Sequence, residues 1–217
     1  MKPQTTNEIF NQKCAINYDK TRSKLAPIKE ALHLCTRLIL SDLPRNARIL
    51  CVGVGTGAEL IYLAKEFPLW QFTAVDTSSA MLEVCHKRVK DAGIEERVSF
   101  HEGYLSSLPQ SELYNAATAF LVSHFVTEPE KRSGFFAEIA QHLKPEGYLV
   151  SADISSDTSD PSYQDLKQIW HEMLKHSEFP KDEVDKMKSS LGTAVSILPP
   201  ERISALIEQA GFETPTR

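Results

Sequence analysis

Cysteine is scarce in this chain and scattered where it occurs. Cys14, Cys35, Cys51 and Cys85 are the only four among 217 residues, and no two stand as a Cys-x-x-Cys pair. Such spacing serves neither a disulfide framework nor a thiolate zinc site, so free thiols in a reducing cytosol and no bound metal are expected. Long apolar runs are missing too: none approaches the roughly 18 uncharged residues that a membrane span needs. The opening MKPQTTNEIFNQK lacks the apolar centre of a signal peptide. Positive charge is not in excess, with 24 basic residues against 29 acidic and a net charge of −5. That balance argues against nucleic acid as a partner. What remains is the expectation of a soluble, cytoplasmic chain. Its 41% hydrophobic and 24% charged residues support a real core, and its length suits one domain.

Glycine is sparse as well, at nine residues, yet three of them fall within five positions. The apolar run Ile49-Leu50-Cys51-Val52 leads straight into Gly53, Gly55 and Gly57, and a helical pattern begins at Ala58. A buried parallel strand reads as such a short apolar run. Glycines at its carboxyl end let the backbone turn tightly and approach a ligand, and the next helix aims its free N–H groups at that turn. A second apolar stretch, Phe72 to Val75, ends at Asp76. An acid there is placed to take both hydroxyls of a ribose. A nucleoside-containing cofactor on a doubly wound α/β sheet is the expectation.

Around this motif strands and helices alternate, which implies right-handed crossovers and a mostly parallel sheet with helices on both faces. Strands are predicted at about 47–53, 71–76, 98–101, 116–121 and 148–154. Helices are predicted at 58–67, 79–92 and 129–143, with a turn at Lys144-Pro145-Glu146-Gly147. Ser78 or Ser79 would cap the second of these helices. Residues 1–45 read as a helical lead-in, with Leu25, Ile28, Ala31, Leu32, Cys35, Leu38 and Ile39 forming an amphipathic stripe. The domain proper then spans 46–217. A helical cap is inserted over 155–198, a last helix follows at 200–210, and another strand is expected from Phe212.

Gly53 to Ala58 also fits the dinucleotide fingerprint, which keeps a nicotinamide dehydrogenase open. The later signals choose differently. Ile49 to Gly57, Ala74 to Leu82, Val98 to Pro109 and Leu143 to Val150 together resemble a class I S-adenosylmethionine-dependent methyltransferase over about residues 14–212. The resemblance implies S-adenosylmethionine as cofactor, with Gly53, Gly55 and Gly57 under its methionine part and Asp76 on the ribose. It implies Thr77 and Met81 beside the adenine, Tyr104 and Leu105 on its far side, and Phe120 beyond the fourth strand. Tyr18 would come from a segment laid over the cofactor. Two departures stand out. Cys51 replaces the acid that helps hold the cofactor's amino group, and Tyr104 replaces an aspartate that accepts from the adenine amino group. They sustain a second reading, a cofactor-fold protein that binds nucleosides weakly or as a regulator. From Val184 to Phe212 the spacing is also similar to carboxy-S-adenosylmethionine synthase, which implies a place in tRNA wobble-uridine modification. Lys188 would stand for that family's arginine. Family members close the sheet with a final antiparallel hairpin, and Thr214 to Arg217 comes too soon for its last strand. Either the chain is truncated or the edge is completed otherwise, and an exposed edge would invite pairing into a homodimer.

Methyl transfer from a sulfonium needs mainly orientation and dryness, so no catalytic triad is required, and the expected partner is a small-molecule acceptor. His124, just past the fourth strand, stands where a general base could act, though packing or capping the next helix is the plainer reading. Trp170 and Met173 are candidates for an acceptor pocket or for core. Glu128-Pro129-Glu130-Lys131-Arg132 reads as a solvated helix start.

Overall fold

The computed structural model describes residues 10–109 and 112–217. The part of the helical lead-in that falls on residues 1–9 lies outside them. Five parallel strands form one sheet in the order β3-β2-β1-β4-β5: β1 Arg48–Val52, β2 Gln71–Asp76, β3 Val98–Glu102, β4 Tyr114–Phe120 and β5 Leu143–Ala152. Between them run α3 Ala58–Glu66, α4 Ser79–Asp91 and α5 Pro129–His142, preceded by α1 Gln12–Thr21 and α2 Ala26–Ile39. After β5 come α6 Tyr163–His176, α7 Lys181–Ser190 and α8 Pro200–Gln209. This is the expected α/β architecture.

Alternation along β1 divides the core in two. Ile49 and Cys51 face one layer with Leu60 and Leu63 of α3 and Cys85 and Val89 of α4. Leu50 and Val52 face the other, with Phe136 and Ile139 of α5 and Ile203 and Leu206 of α8. The α3 end is closed from a distance. Arg97 donates to the carbonyls of Ala64, Phe67 and Trp70, satisfying acceptors a helix end leaves open.

Three local expectations are corrected. The α2 stripe is turned outward: Ile28, Leu38 and Ile39 are 59%, 57% and 52% exposed, whereas His33 and Thr36 are buried. His33 lies against Tyr62 at 5.3 Å between ring centroids, and burial lowers its pKa to about 4. Thr36 Oγ1 donates to Leu32 O at 2.7 Å, which lets it be buried without a stranded hydroxyl. The Lys144–Gly147 turn is a bulge inside β5. Leu143 pairs with Tyr114 and Tyr148 with Ala116, while Glu146 takes φ +63° between them. No strand begins at Phe212, which packs against the α5–α8 layer instead.

Candidate functional site

β1 has β2 on one side and β4 on the other, so the loops leaving β1 and β4 diverge and open a crevice at the carboxyl ends of the strands. A cavity of about 370 Å³ occupies it, within the range of small-ligand pockets. Gly53, Gly55 and Gly57 all have positive φ, at +66°, +54° and +77°, the left-handed region where a Cβ is costly. An added Cβ at Gly53 would lie 2.2 Å from Val122 Cγ2, whereas at Gly55 it would meet nothing within 4 Å. Gly53→Ala should therefore lose roughly 2–4 kcal/mol of stability and Gly55→Ala about 1–2. Urea unfolding of both variants checks this, and equal losses would refute the steric account.

Asp76 closes β2 at the cavity wall. Its Oδ2 accepts from the Gly55 N–H at 2.8 Å and its Oδ1 from the Ser78 N–H at 2.9 Å. Burial raises its pKa, with the Ser78, Gly55 and Thr77 N–H groups opposing. These bonds orient the carboxylate and leave it some acceptor capacity toward a hydroxyl-bearing ligand. Ser78 caps α4 by accepting from the Met81 N–H, and its hydroxyl donates to Phe10 O. That bond ties the start of the described chain to the rim.

The roof is aromatic. Phe10, Tyr18 and Phe125 line the cavity, with Phe10 edge-on to Phe125 at 5.6 Å. Tyr18 is held by the Arg22 guanidinium, 3.6 Å from its ring centroid and 4.6 Å from that of Phe179, between α6 and α7. Burial raises the Tyr18 pKa. Arg88 of α4 donates to Asp19 of α1 and to both the carbonyl and hydroxyl of Thr56, joining the roof helix to the glycine loop.

Of the residues read from sequence, Tyr18, Gly53, Gly55, Asp76, Thr77, Met81, Tyr104, Leu105 and Phe120 all line this cavity. Cys51 and Gly57 do not. Cys51 is fully buried in the α3–α4 layer, where burial pushes its thiol well up, and a Cβ on Gly57 would sit 2.5 Å from Cys85 Sγ. His124 is also outside the lining. It is 3% exposed, with Nδ1 bonded to Asp153 Oδ1. Arg132, read as solvated, is 0% exposed. Its Nη2 meets Asp153 Oδ2 at 2.8 Å and its Nε donates to Ser123 Oγ at 2.9 Å. Burial opposes ionisation of Asp153, but bonding to His124, the charges of His124 and Arg132, and Ser123 together lower its pKa. This knot fixes the turn whose neighbours Leu121, Val122 and Phe125 form the cavity wall. Trp170, Met173 and Lys188 are not among the lining residues, and Lys188 acts on His171 instead.

Sequence reasoning missed Phe10, Phe125 and the α5 face Lys131, Phe135 and Glu138, all in the lining. The four- and three-residue spacing of that last set was the available signal. It also passed over Glu59, 8% exposed in the first turn of α3. Among the described residues no group of three or more His, Cys, Asp or Glu is arranged to hold a metal.

Comparison with known proteins adds independent findings. Residues 49–147 match the model of a methyltransferase domain. The chain is 24% identical to the carboxy-S-adenosyl-L-methionine synthase of Campylobacter jejuni subsp. doylei over 94% of this chain and 86% of that protein. It is 27% identical to the malonyl-[acyl-carrier protein] O-methyltransferase of Priestia megaterium over 89% and 65%. Its fold matches an S-adenosylmethionine-dependent methyltransferase from Geobacter sulfurreducens, solved with S-adenosylhomocysteine, at a TM-score of 0.56 and 16% identity over 83% of this chain. The chain spans about half to two thirds of the length of such solved structures. The cavity brings a glycine-rich strand end and an oriented Asp76 together at one wall. Residues 49–147 thus carry the match to a methyltransferase domain, on a fold shared with S-adenosylmethionine-dependent methyltransferases.

Proposed function

We propose that this methyltransferase acts on a small-molecule acceptor, with Asp76 holding the ribose of S-adenosylmethionine and Gly53 and Gly55 making room for its methionine tail. Thr77, Met81, Tyr104, Leu105 and Phe120 then surround the adenine, and Tyr18 covers the ligand. The cofactor brings a methyl group on a positively charged sulfur, already activated for transfer. The chain's own task is to orient an acceptor and keep water out, an effect worth up to about 7–11 kcal/mol when the geometry is right. Phe10, Tyr18 and Phe125 supply the dry roof.

The observation that carries the acceptor class is the character of the lining. Lys131 is its one basic side chain among the described residues, and it is paired with Glu128 at 2.6 Å. A wall so apolar and so poor in cations suits a compact, uncharged acceptor better than a phosphate-rich chain. His124 has no route to such an acceptor from its buried place beside Asp153, so we assign it to support of the cavity wall. Free thiols fit a cytosolic setting. No helix among the described residues is long and apolar enough to cross a membrane. β5 is an edge of the sheet, which fits pairing with a second copy.

Calorimetry with S-adenosylhomocysteine tests the cofactor half. Micromolar binding is expected, and no binding at millimolar ligand would defeat the reading in favour of a protein that has kept the fold without the ligand. A screen of metabolite extract with labelled methyl donor then tests the acceptor class. The kinship to carboxy-S-adenosyl-L-methionine synthase favours one second reading, a chain that makes or holds a carboxylated form of the cofactor. Lys188 is not positioned for it. Mass spectrometry of nucleoside released from the purified protein decides, since that product is heavier by one carboxyl group.

A further inference from the structure

Two carboxyls are buried near the carboxyl edge of the sheet, and they are treated differently. Asp153 is answered by Arg132 and His124. Among the described residues, no cation answers Glu59. It accepts from Thr118 Oγ1 at a long 3.3 Å and from its own backbone N–H. The groups facing it are Cys51 on β1, Cys85 on α4 and the Asp76 carboxylate on β2. Arg88, which bears on Cys85, commits its guanidinium to Asp19 and Thr56. Burial pushes Glu59 up to about 7; its own N–H and Thr118 pull against the rise and Asp76 adds to it. Isolated burial of an acid is costly, so a charge-balancing partner is the missing element.

That partner is chemically specified. Glu59 lies outside the cavity lining, two residues past Gly57 in the first turn of α3, where the helix end favours an anion and the cavity-wall carboxylate Asp76 acts on it. We propose that Glu59 is the proton-releasing counter-charge of the cofactor site. It is partly protonated near neutral pH without a cationic ligand, and would be fully ionised when the positive charges of S-adenosylmethionine occupy the cavity. The proton passes to solvent as the ligand seats, and no covalent bond changes. Glu59 acts across the loop rather than by contact, so it is a positioning residue. This rests on the functional reading above.

The test uses two ligands that share the adenosyl part: S-adenosylmethionine, which is cationic, and methylthioadenosine, which is neutral. Calorimetry near pH 7 in buffers of differing ionisation enthalpy should show a fraction of a proton released with the first and none with the second. Affinity for the first should rise by about tenfold from about pH 6 to about pH 8, while that for the second stays level. Glu59→Gln should abolish the proton release and weaken the cationic ligand by roughly tenfold, leaving methylthioadenosine unchanged. Equal weakening of both ligands means a structural role and overturns the proposal. So does a wild-type protein that releases no proton, a measurement that decides the matter even if the variant fails to fold. Titration of Asp76 would affect both ligands alike, because both carry the ribose. A wild-type protein that binds neither ligand overturns the functional reading itself.

Discussion

Asp76→Ala should lower affinity for S-adenosylhomocysteine by about 100-fold or more, while the protein stays folded. The carboxylate is pinned by two backbone N–H groups, so it presents its remaining lone pairs without reorganisation. Hydrogen bonds to a charged group contribute roughly 1.5–3 kcal/mol each. Losing two of them spans the predicted range. Asp76→Asn keeps an acceptor for Gly55 and should fall between. Calorimetry measures the affinity, and a thermal melt confirms that the glycine loop has survived loss of its anchor. Unchanged affinity in Asp76→Ala would remove the basis for placing the ribose there.

The largest effect on stability is expected at Arg132. Its side chain is fully buried against Asp153, and truncation leaves that carboxylate with His124, Ser123 and the Ile154 N–H but without its guanidinium. Breaking a buried pair on one side costs about 3–5 kcal/mol, so Arg132→Ala should show that loss in urea unfolding near neutral pH. Arg132→Met combined with Asp153→Asn should lose less than the sum of the two single changes, because the second removes the stranded charge. The sign with pH follows from the lowered Asp153 pKa. Its contribution is present above the ordinary carboxylate range and is lost as pH falls through the folded value. Additivity of the two changes would show that the knot is not a unit.

What sequence revealed and what it hid follow a physical line. The parallel strand-helix alternation and the place of Asp76 at the end of β2 were legible because buried parallel strands leave continuous apolar runs and glycines mark sharp turns. The Ser78 cap was legible for the same local reason. The outward face of α2 was not. Periodicity reports that a helix has two faces, and only the fold decides which one is covered. Here a histidine and a threonine went inside because Tyr62 and a backbone carbonyl were there to receive them. Arg132 was misread for a related reason. Its partner Asp153 lies 21 residues further on, a pairing no helical spacing could announce. His124 sat where a base could stand, but the same aspartate drew it into the wall.

The Arg88 brace carries a kinetic consequence. α1 cannot move away from the glycine loop unless its Asp19 lets go of a guanidinium that also grips Thr56, so the two are latched by one side chain. Both charged partners are about a third exposed, within reach of dissolved ions. Salt should therefore loosen the latch without touching any residue that lines the cavity.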